Sequence, residues 1–475
     1  MRETTIFYVN GERVEVNGAE VFLMLANWLR QQQSLTGTKI VCAEGDCGAC
    51  SIMLGIPTAS GALKYEQRNS CILPLFNLDG KHVVTVEGLK QKGELSPIQL
   101  SIATNGGSQC GYCTPGIVMA ITAIFEQWPK PTEEHFRAGL SGNLCRCTGY
   151  DGILRAALAI DPTKIRALDT LWDLPEMKSE LATIRHDPIA IKSDKLSLFM
   201  PDSLAKLLQI KATTTEVMVV VAGATDLGVG WNKGIKKSGQ FIGLARIPEL
   251  NKIEVKDDLI EVGANVSLSQ FEEFCNQHIP AIGKFMELIA SPQIKNAATL
   301  IGNIGSALPI GDALLFLVLL DAHVELTGTK GTRLLSLNDY LLRGLNQDEL
   351  ITKITFKRPA LMARLRFYKV SRRRRLDRSI VSAAFLLEQE QKAGHATISK
   401  FRVAFGGVAK SVCRLANVET FMQGRSLSAV TIEEAAKLAL EACTPSANVR
   451  GSRQYREILI VNLFKKFYAE MEIDR

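Results

Sequence analysis

The 475-residue sequence predicts a multidomain α+β protein: a β-grasp domain, a helical bundle, a larger α+β domain without a Rossmann signature, and a small α+β domain at the C-terminal end. Three observations predict it. At about 150 residues per domain, the length corresponds to roughly three or more domains. The hydrophobic period is two near the N-terminus, becomes helical after about Gly88, and then alternates between the two. Finally, eight of the eleven cysteines lie between Cys42 and Cys147 in two sets of four, one in each of the first two domains.

The elements follow in order. Thr5 to Val9 alternates, Asn10-Gly11 is a strong two-residue hairpin signal, and Arg13 to Val16 alternates again. Val21, Leu25, Trp28 and Leu29 then recur at helical spacing, and Ser51 to Leu54 and Lys81 to Val86 complete a small sheet around one helix. This is the expected first domain, 1–87. In the second, 88–165, Thr114-Pro115 is expected as N-cap and first residue of a helix running to Trp128, with further helices from Thr132 and over Asp151 to Leu158. Residues 166–194 show little periodicity and are expected as a linker. A larger α+β domain, 195–360, and a C-terminal domain, 361–475, complete the chain. Ala313 to Leu320 is its most apolar run, far short of the ~18 residues a membrane span needs, and is expected as buried core.

The cysteine spacings carry chemistry. Cys42, Cys47 and Cys50 in CAEGDCGAC, with Cys71 further on, have the spacing of plant-type [2Fe-2S] ligation. Gly45 and Gly48 let that loop curl with N–H groups inward, and Ala49 does not obstruct it. The second set is Cys110 and Cys113 in QCGYC, then Cys145 and Cys147 in NLCRCTGY. Two thiolates one residue apart cannot face one centre from a regular helix or strand, so Cys145 and Cys147 belong on a tight loop or helix end. Zinc and disulfides are the alternatives. Structural zinc prefers paired short knuckles, and nothing in the sequence points to an oxidising compartment. Iron-sulfur is favoured for both sets, which together have the layout of an electron wire.

Composition excludes other classes. Hydrophobic residues at 46% and charged residues at 22% are ordinary for globular domains, which excludes wholesale disorder. A net charge of +7 spread along the chain does not make a nucleic-acid face. The first residues, MRETTIFYVNGERVEV, lack a secretory h-region or twin arginines, so a cytoplasmic location is expected. Cys275, Cys413 and Cys443 are isolated and expected as small hydrophobes. The six histidines form no H-x-x-H or H-E-x-x-H pair, and no catalytic triad or carboxylate pair stands out.

In the second half, Val217 to Val221 is a β-branched strand running into Ala222-Gly223-Ala224-Thr225-Asp226-Leu227, a small-residue turn able to bring backbone N–H groups to a phosphate. Ala298 to Gly305 is a second such turn. Neither is G-x-G-x-x-G, and no Walker A sequence occurs, which disfavours a Rossmann or P-loop site.

CAEGDCGAC, QCGYCTPG and NLCRCTGY resemble the two iron-sulfur modules of the xanthine dehydrogenase family of molybdenum hydroxylases. AGATDL, ATLIGN with Pro309 to Asp312, FYKVSRR, AFGGVA and VRGSRQYR resemble that family's FAD domain and the small domain after it. The resemblance covers essentially the whole chain and leaves no room for the family's large molybdopterin domain. It therefore implies the iron-sulfur/FAD subunit of a split member, with molybdopterin on a large partner subunit in a hetero-oligomer. Electrons from purine hydroxylation would enter at the Cys110, Cys113, Cys145, Cys147 cluster, pass to the Cys42, Cys47, Cys50, Cys71 cluster, then to FAD and to NAD. A flavin is needed because clusters carry single electrons and NAD takes a hydride. An aldehyde or carbon monoxide oxidising relative is the alternative within the class, and a self-contained iron-sulfur flavin reductase lies outside it.

Carried over residue by residue, the resemblance implies FAD contacts at Val220, Val221, Ala222, Gly223, Ala224, Thr225, Asp226 and Leu227, at Thr299, Leu300, Ile301, Gly302 and Asn303, and at Asp312, Ile351 and Lys369. Lys369 would stabilise an anionic reduced flavin; otherwise it is a solvated lysine between apolar neighbours. The sequence departs from the family in three places. Ala224 and Ile301 stand where the family has glycine, which would weaken FAD binding if either backbone needs φ > 0. Arg372 to Arg375 replace acidic residues, giving either a solvated basic loop or one that draws the NAD phosphates.

Overall fold

The computed structural model describes every residue except 215, 236–238, 307–309, 393–394 and 474–475. The chain forms two compact units, Met1–Glu249 with Ser291–Ala298, and Leu250–Ala290 with Thr299–Arg475.

The first unit opens with the expected hairpin. Strands Thr4–Val9 and Glu12–Asn17 pair antiparallel across Asn10 (φ 49°) and Gly11 (φ 87°), the two left-handed residues of a type I′ turn. They join a five-stranded sheet in the order Glu12–Asn17, Thr4–Val9, His82–Val84, Ser51–Pro57, Leu63–Asn69, with Thr4–Val9 parallel to His82–Val84. The helix Leu25–Gln31 lays Leu25, Trp28 and Leu29 into its core, as their spacing predicts, while Val21 is buried from a short 3-10 turn before it. The strand Leu63–Asn69 was not anticipated from sequence.

Helices follow at Pro97–Thr104, Thr114–Gln127, Glu133–Gly139 and Asp151–Leu158. Thr114–Gln127 is buried on nearly all sides and is the axis of this bundle. Its N-cap is Cys113 rather than Thr114, so Pro115 takes the second helical position, where its missing N–H costs nothing. The 166–194 stretch is more ordered than a linker. It holds the helix Pro175–Ile184, which buries Met177, Leu181 and Ile184, and the strand Ile189–Lys192. That strand edges a four-stranded sheet ordered Ile189–Lys192, Leu196–Met200, Gly239–Gly243, Met218–Val221. Trp231 and Phe241 pack with Phe22 and Phe76 of the β-grasp domain, so one core serves both.

In the second unit an antiparallel sheet runs Ile253–Lys256, Leu259–Gly263, Leu350–Lys357, His323–Gly328, Gly331–Ser336. The expected 195–360 domain thus contributes to both compact units. Asp312–Leu319 is a helix with every residue buried, the core predicted from its apolar run. The C-terminal sheet, Arg364–Val370, Val381–Lys392, His395–Gly406 and Cys413–Arg414, packs on helices Ala416–Met422, Ala429–Ala442 and Arg453–Ile473 around Phe385, Phe405, Phe464 and Phe467. Cys275 and Cys443 are buried and Cys413 half-buried. Among the described residues no helix is long and apolar enough to cross a membrane.

Candidate functional site

The first four cysteines converge. Cys42 and Cys47 lie on an irregular loop, Cys50 enters the strand Ser51–Pro57, and Cys71 sits on a short turn after Leu63–Asn69. Cys50 and Cys71 are buried, Cys42 and Cys47 half-buried. The backbone N–H groups of Glu44 and Asp46 both donate to Cys42 Sγ at 3.4 Å. Hydrogen bonds from the Cys47 and Cys71 thiols, with those two N–H groups, hold the Cys42 thiol well below its ordinary value. Cys71, donating to Cys42 and Cys50 and buried besides, is pushed up. Gly45 (φ 74°) and Gly48 (φ 68°) take the left-handed conformation the inward curl needs.

The second four converge on loops at one end of the bundle. Cys147 Sγ lies 3.4 Å from Cys110 Sγ, both exposed, and Cys113 is hydrogen-bonded to Cys145. Cys145 and Cys147 occupy an irregular loop that ends at Tyr150, whose φ of 70° turns the chain into Asp151–Leu158. Thr148 holds Cys145 through its N–H at 3.5 Å and its hydroxyl at 3.1 Å. Burial opposes ionisation of Cys145, but these bonds outweigh it and its thiol is lowered. Burial first, then the Cys145 thiol, push Cys113 up to about 12. Among the described residues no three His, Cys, Asp or Glu side chains are arranged around one metal ion. In the second quartet the thiols meet in pairs, Cys110 with Cys147 and Cys113 with Cys145, whereas in the first Cys42 meets both Cys47 and Cys71, and Cys71 also meets Cys50. Four thiols in each set is the donor number of a two-iron cluster.

The two quartets meet at one junction. The N–H of Leu144, the residue before Cys145, donates to the carbonyl of Cys47 at 2.9 Å. The Asn143 amide donates to the Gly48 carbonyl at 3.0 Å. A Cβ on Gly48 would fall inside contact distance of the Gly142 carbonyl, and one on Gly116 inside that of the Gly48 carbonyl, so glycine is what lets the loops and the Thr114–Gln127 helix close.

The implied FAD residues divide between the units. In the first, Val220 and Val221 end the strand Met218–Val221, Ala222 to Ala224 form the turn, and Thr225, Asp226 and Leu227 begin the helix Thr225–Asn232. Gly223 packs so closely on the Ala297 carbonyl that no side chain fits there, and Ala224 is left-handed at φ 58°. The far end of this helix rests on the first quartet: Asn232 donates to the carbonyls of Ala43 and Cys71, each at 2.8 Å, and Gly228 packs against Ile72. Its eight residues span about 12 Å at 1.5 Å per residue.

In the second unit, Thr299 caps the helix Leu300–Gly305, its hydroxyl accepting from Gly302 N–H at 2.9 Å. Ile301 is helical and buried, so the strain expected from its replacing a glycine is absent. Asn303 Oδ1 is buried without a partner, an acceptor available to a ligand. This helix packs on Asp312–Leu319 and on the strand carrying the buried Ile351. Lys369 is not solvated: its side chain is 1% exposed, and its ammonium bonds Asp312 Oδ2 at 2.7 Å and the Leu288 carbonyl at 2.8 Å. Asp312 also accepts from the Ser379 hydroxyl. The arginine run is partly self-neutralised, with Arg373 on Asp377, Arg375 on Glu287 and Arg372 on the Val449 carbonyl. Pro309 lies outside the described residues. Asn143, Asn232 and Gln293 were missed in the sequence, which carries no spacing signal for a lone amide.

Three family models match in chain order: the [2Fe-2S] binding domain over residues 85–158, the FAD binding domain in molybdopterin dehydrogenase over 194–358, and the CO dehydrogenase flavoprotein C-terminal domain over 366–471. The chain is therefore an iron-sulfur flavoprotein by domain content. The homologues it matches are members of the molybdenum hydroxylase family. A xanthine dehydrogenase of Emericella nidulans is 30% identical over 99% of this chain and 39% of its own length. An aldehyde oxidase 2 of Cavia porcellus is 27% identical over 99% of this chain and 40% of its own. The chain thus spans about two fifths of the curated relatives it matches. Two solved structures share the fold of part of it. A carbon monoxide dehydrogenase from Hydrogenophaga pseudoflava has a TM-score of 0.53 at 21% identity, covering 57% of this chain and 94% of that one. Quinoline 2-oxidoreductase from Pseudomonas putida 86 has a TM-score of 0.52 at 22% identity, with the same coverage.

Proposed function

We propose that the chain is the electron-transfer subunit of a xanthine dehydrogenase, working in the cytoplasm with a molybdopterin-binding partner and delivering electrons to NAD. One observation carries the relay: a single compact unit sets the two cysteine quartets and the Ala222–Ala224 turn in series. The Leu144 to Cys47 hydrogen bond joins the first pair of stations, and the helix Thr225–Asn232 joins the second.

Bound here, two [2Fe-2S] clusters would carry single electrons and FAD would exchange them for hydride chemistry. The chain's own residues supply the setting. Cys110, Cys113, Cys145 and Cys147 would hold one cluster on an exposed face, and Cys42, Cys47, Cys50 and Cys71 the other in a more buried one. In the first unit, Gly223 and the turn around it would admit the FAD phosphates; in the second, Asp312 and Lys369 form a fixed charge pair. The xanthine dehydrogenase relative at 30% identity supports purine as the partner's substrate. The aldehyde oxidases at 26–28% support an aldehyde as the second reading. Co-purification with the partner, followed by NAD reduction with xanthine against an aldehyde, tests both. Xanthine-dependent NADH formation is the expected result, and aldehyde turnover alone would overturn the purine assignment.

A further inference from the structure

The junction between the quartets is held from a third side by a residue outside every cysteine motif. Gln293, on the short helix Pro292–Ala297, is 1% exposed. Its Nε2 donates to Asn143 Oδ1 at 2.8 Å and to Ser51 Oγ at 3.2 Å. Asn143 and Ser51 each donate onward to the Gly48 carbonyl, at 3.0 and 2.8 Å. The amide therefore closes a ring of hydrogen bonds around the peptide next to Cys47, beside the Leu144 bond. Gln293 Oε1 is buried without a partner over Gly142, where a Cβ would collide with it. An apolar side chain would fill this space without leaving a buried acceptor unpaired. The amide is thus explained by what its N–H groups hold, not by packing.

We propose that Gln293 is a positioning residue that clamps the two cysteine loops in register, and so sets the magnetic and electronic coupling between the clusters they hold. Its chain continues directly into Thr299–Asn303. The proposal rests on the reading of the eight cysteines as two cluster sites.

The test compares the full chain with Gln293→Met, which matches the side chain's length without its donors, and with Ser51→Ala, which removes one acceptor. Iron content, the spin–spin splitting of the two reduced centres, and hydrogen exchange of peptides covering 42–51 and 140–150 are read together. Gln293→Met is expected to keep its iron, to change the splitting of both centres, and to speed exchange in both peptides by about 5- to 100-fold, which is about 1–3 kcal/mol at about 1.4 kcal/mol per decade. Ser51→Ala is expected to shift the same readouts less. Wild-type splitting and exchange in Gln293→Met would overturn the proposal. So would iron loss in Gln293→Met with an entirely wild-type Ser51→Ala, the pattern of a residue needed only for folding. A wild-type chain without two reduced centres would overturn the cluster reading, and this proposal with it.

Discussion

Leu144 donates its N–H to the carbonyl of Cys47 at 2.9 Å, so a residue flanking one cysteine quartet is bonded to a member of the other. That closeness depends on glycines. Gly48→Ala would put a side chain on a left-handed residue and against the Gly142 carbonyl. The backbone alone costs about 1–2 kcal/mol, and the collision adds to it. The expected outcome is a lower thermal midpoint and less iron per chain, checked by metal analysis; full iron at an unchanged midpoint would refute it.

Lys369 and Asp312 form a nearly inaccessible ion pair. Lys369→Met strands a buried carboxylate, which costs about 3–5 kcal/mol in comparable pairs. Urea unfolding should show each single variant, Lys369→Met and Asp312→Leu, markedly less stable, and the double variant less destabilised than the sum. Additive losses would mean the pair does not act as a unit.

Ala224 holds a left-handed backbone that glycine adopts freely. Ala224→Gly should stabilise the chain by up to about 1 kcal/mol, the relieved strain being partly offset by unfolded-state entropy. Ala224→Val should do the reverse. Denaturant midpoints of the three chains decide it.

Glu126 gives a pH dependence. Burial, and secondarily the charge of Asp169, push its carboxyl up to about 7, although it accepts a hydrogen bond from Leu168 N–H at 2.7 Å. Its folded value lies above the unfolded one of about 4.3, so the native chain binds the proton more tightly. The stabilisation is complete below about pH 4.3 and is lost as pH rises through about 7, an effect on the order of 3–4 kcal/mol. Glu126→Gln should flatten the fall in stability from pH 5 to 8; an unaltered slope would assign it to other groups.

The parts legible in the sequence were those with a period or a fixed spacing. The Asn10-Gly11 hairpin, the helix Asp151–Leu158 and the buried run of Asp312–Leu319 all read out directly. So did the convergence of each cysteine quartet. The helix Pro175–Ile184 was passed over although Met177, Leu181 and Ile184 stand at helical spacing, because only three of its residues are buried. Lys369 read as either a flavin contact or a solvated lysine, and its buried pairing was not legible because its partner Asp312 lies 57 residues away and no local pattern announces a long-range ion pair. Whether Ile301 is a strained glycine replacement was left open because a motif gives residue types without backbone angles, and here the backbone is helical.

The relay itself is tested most directly by metal analysis and electron paramagnetic resonance of the full chain, purified anaerobically and reduced with dithionite. Two distinct reduced centres and about four irons per chain are predicted from two [2Fe-2S] sites. A single centre with about two irons, or zinc in place of iron, would contradict the account.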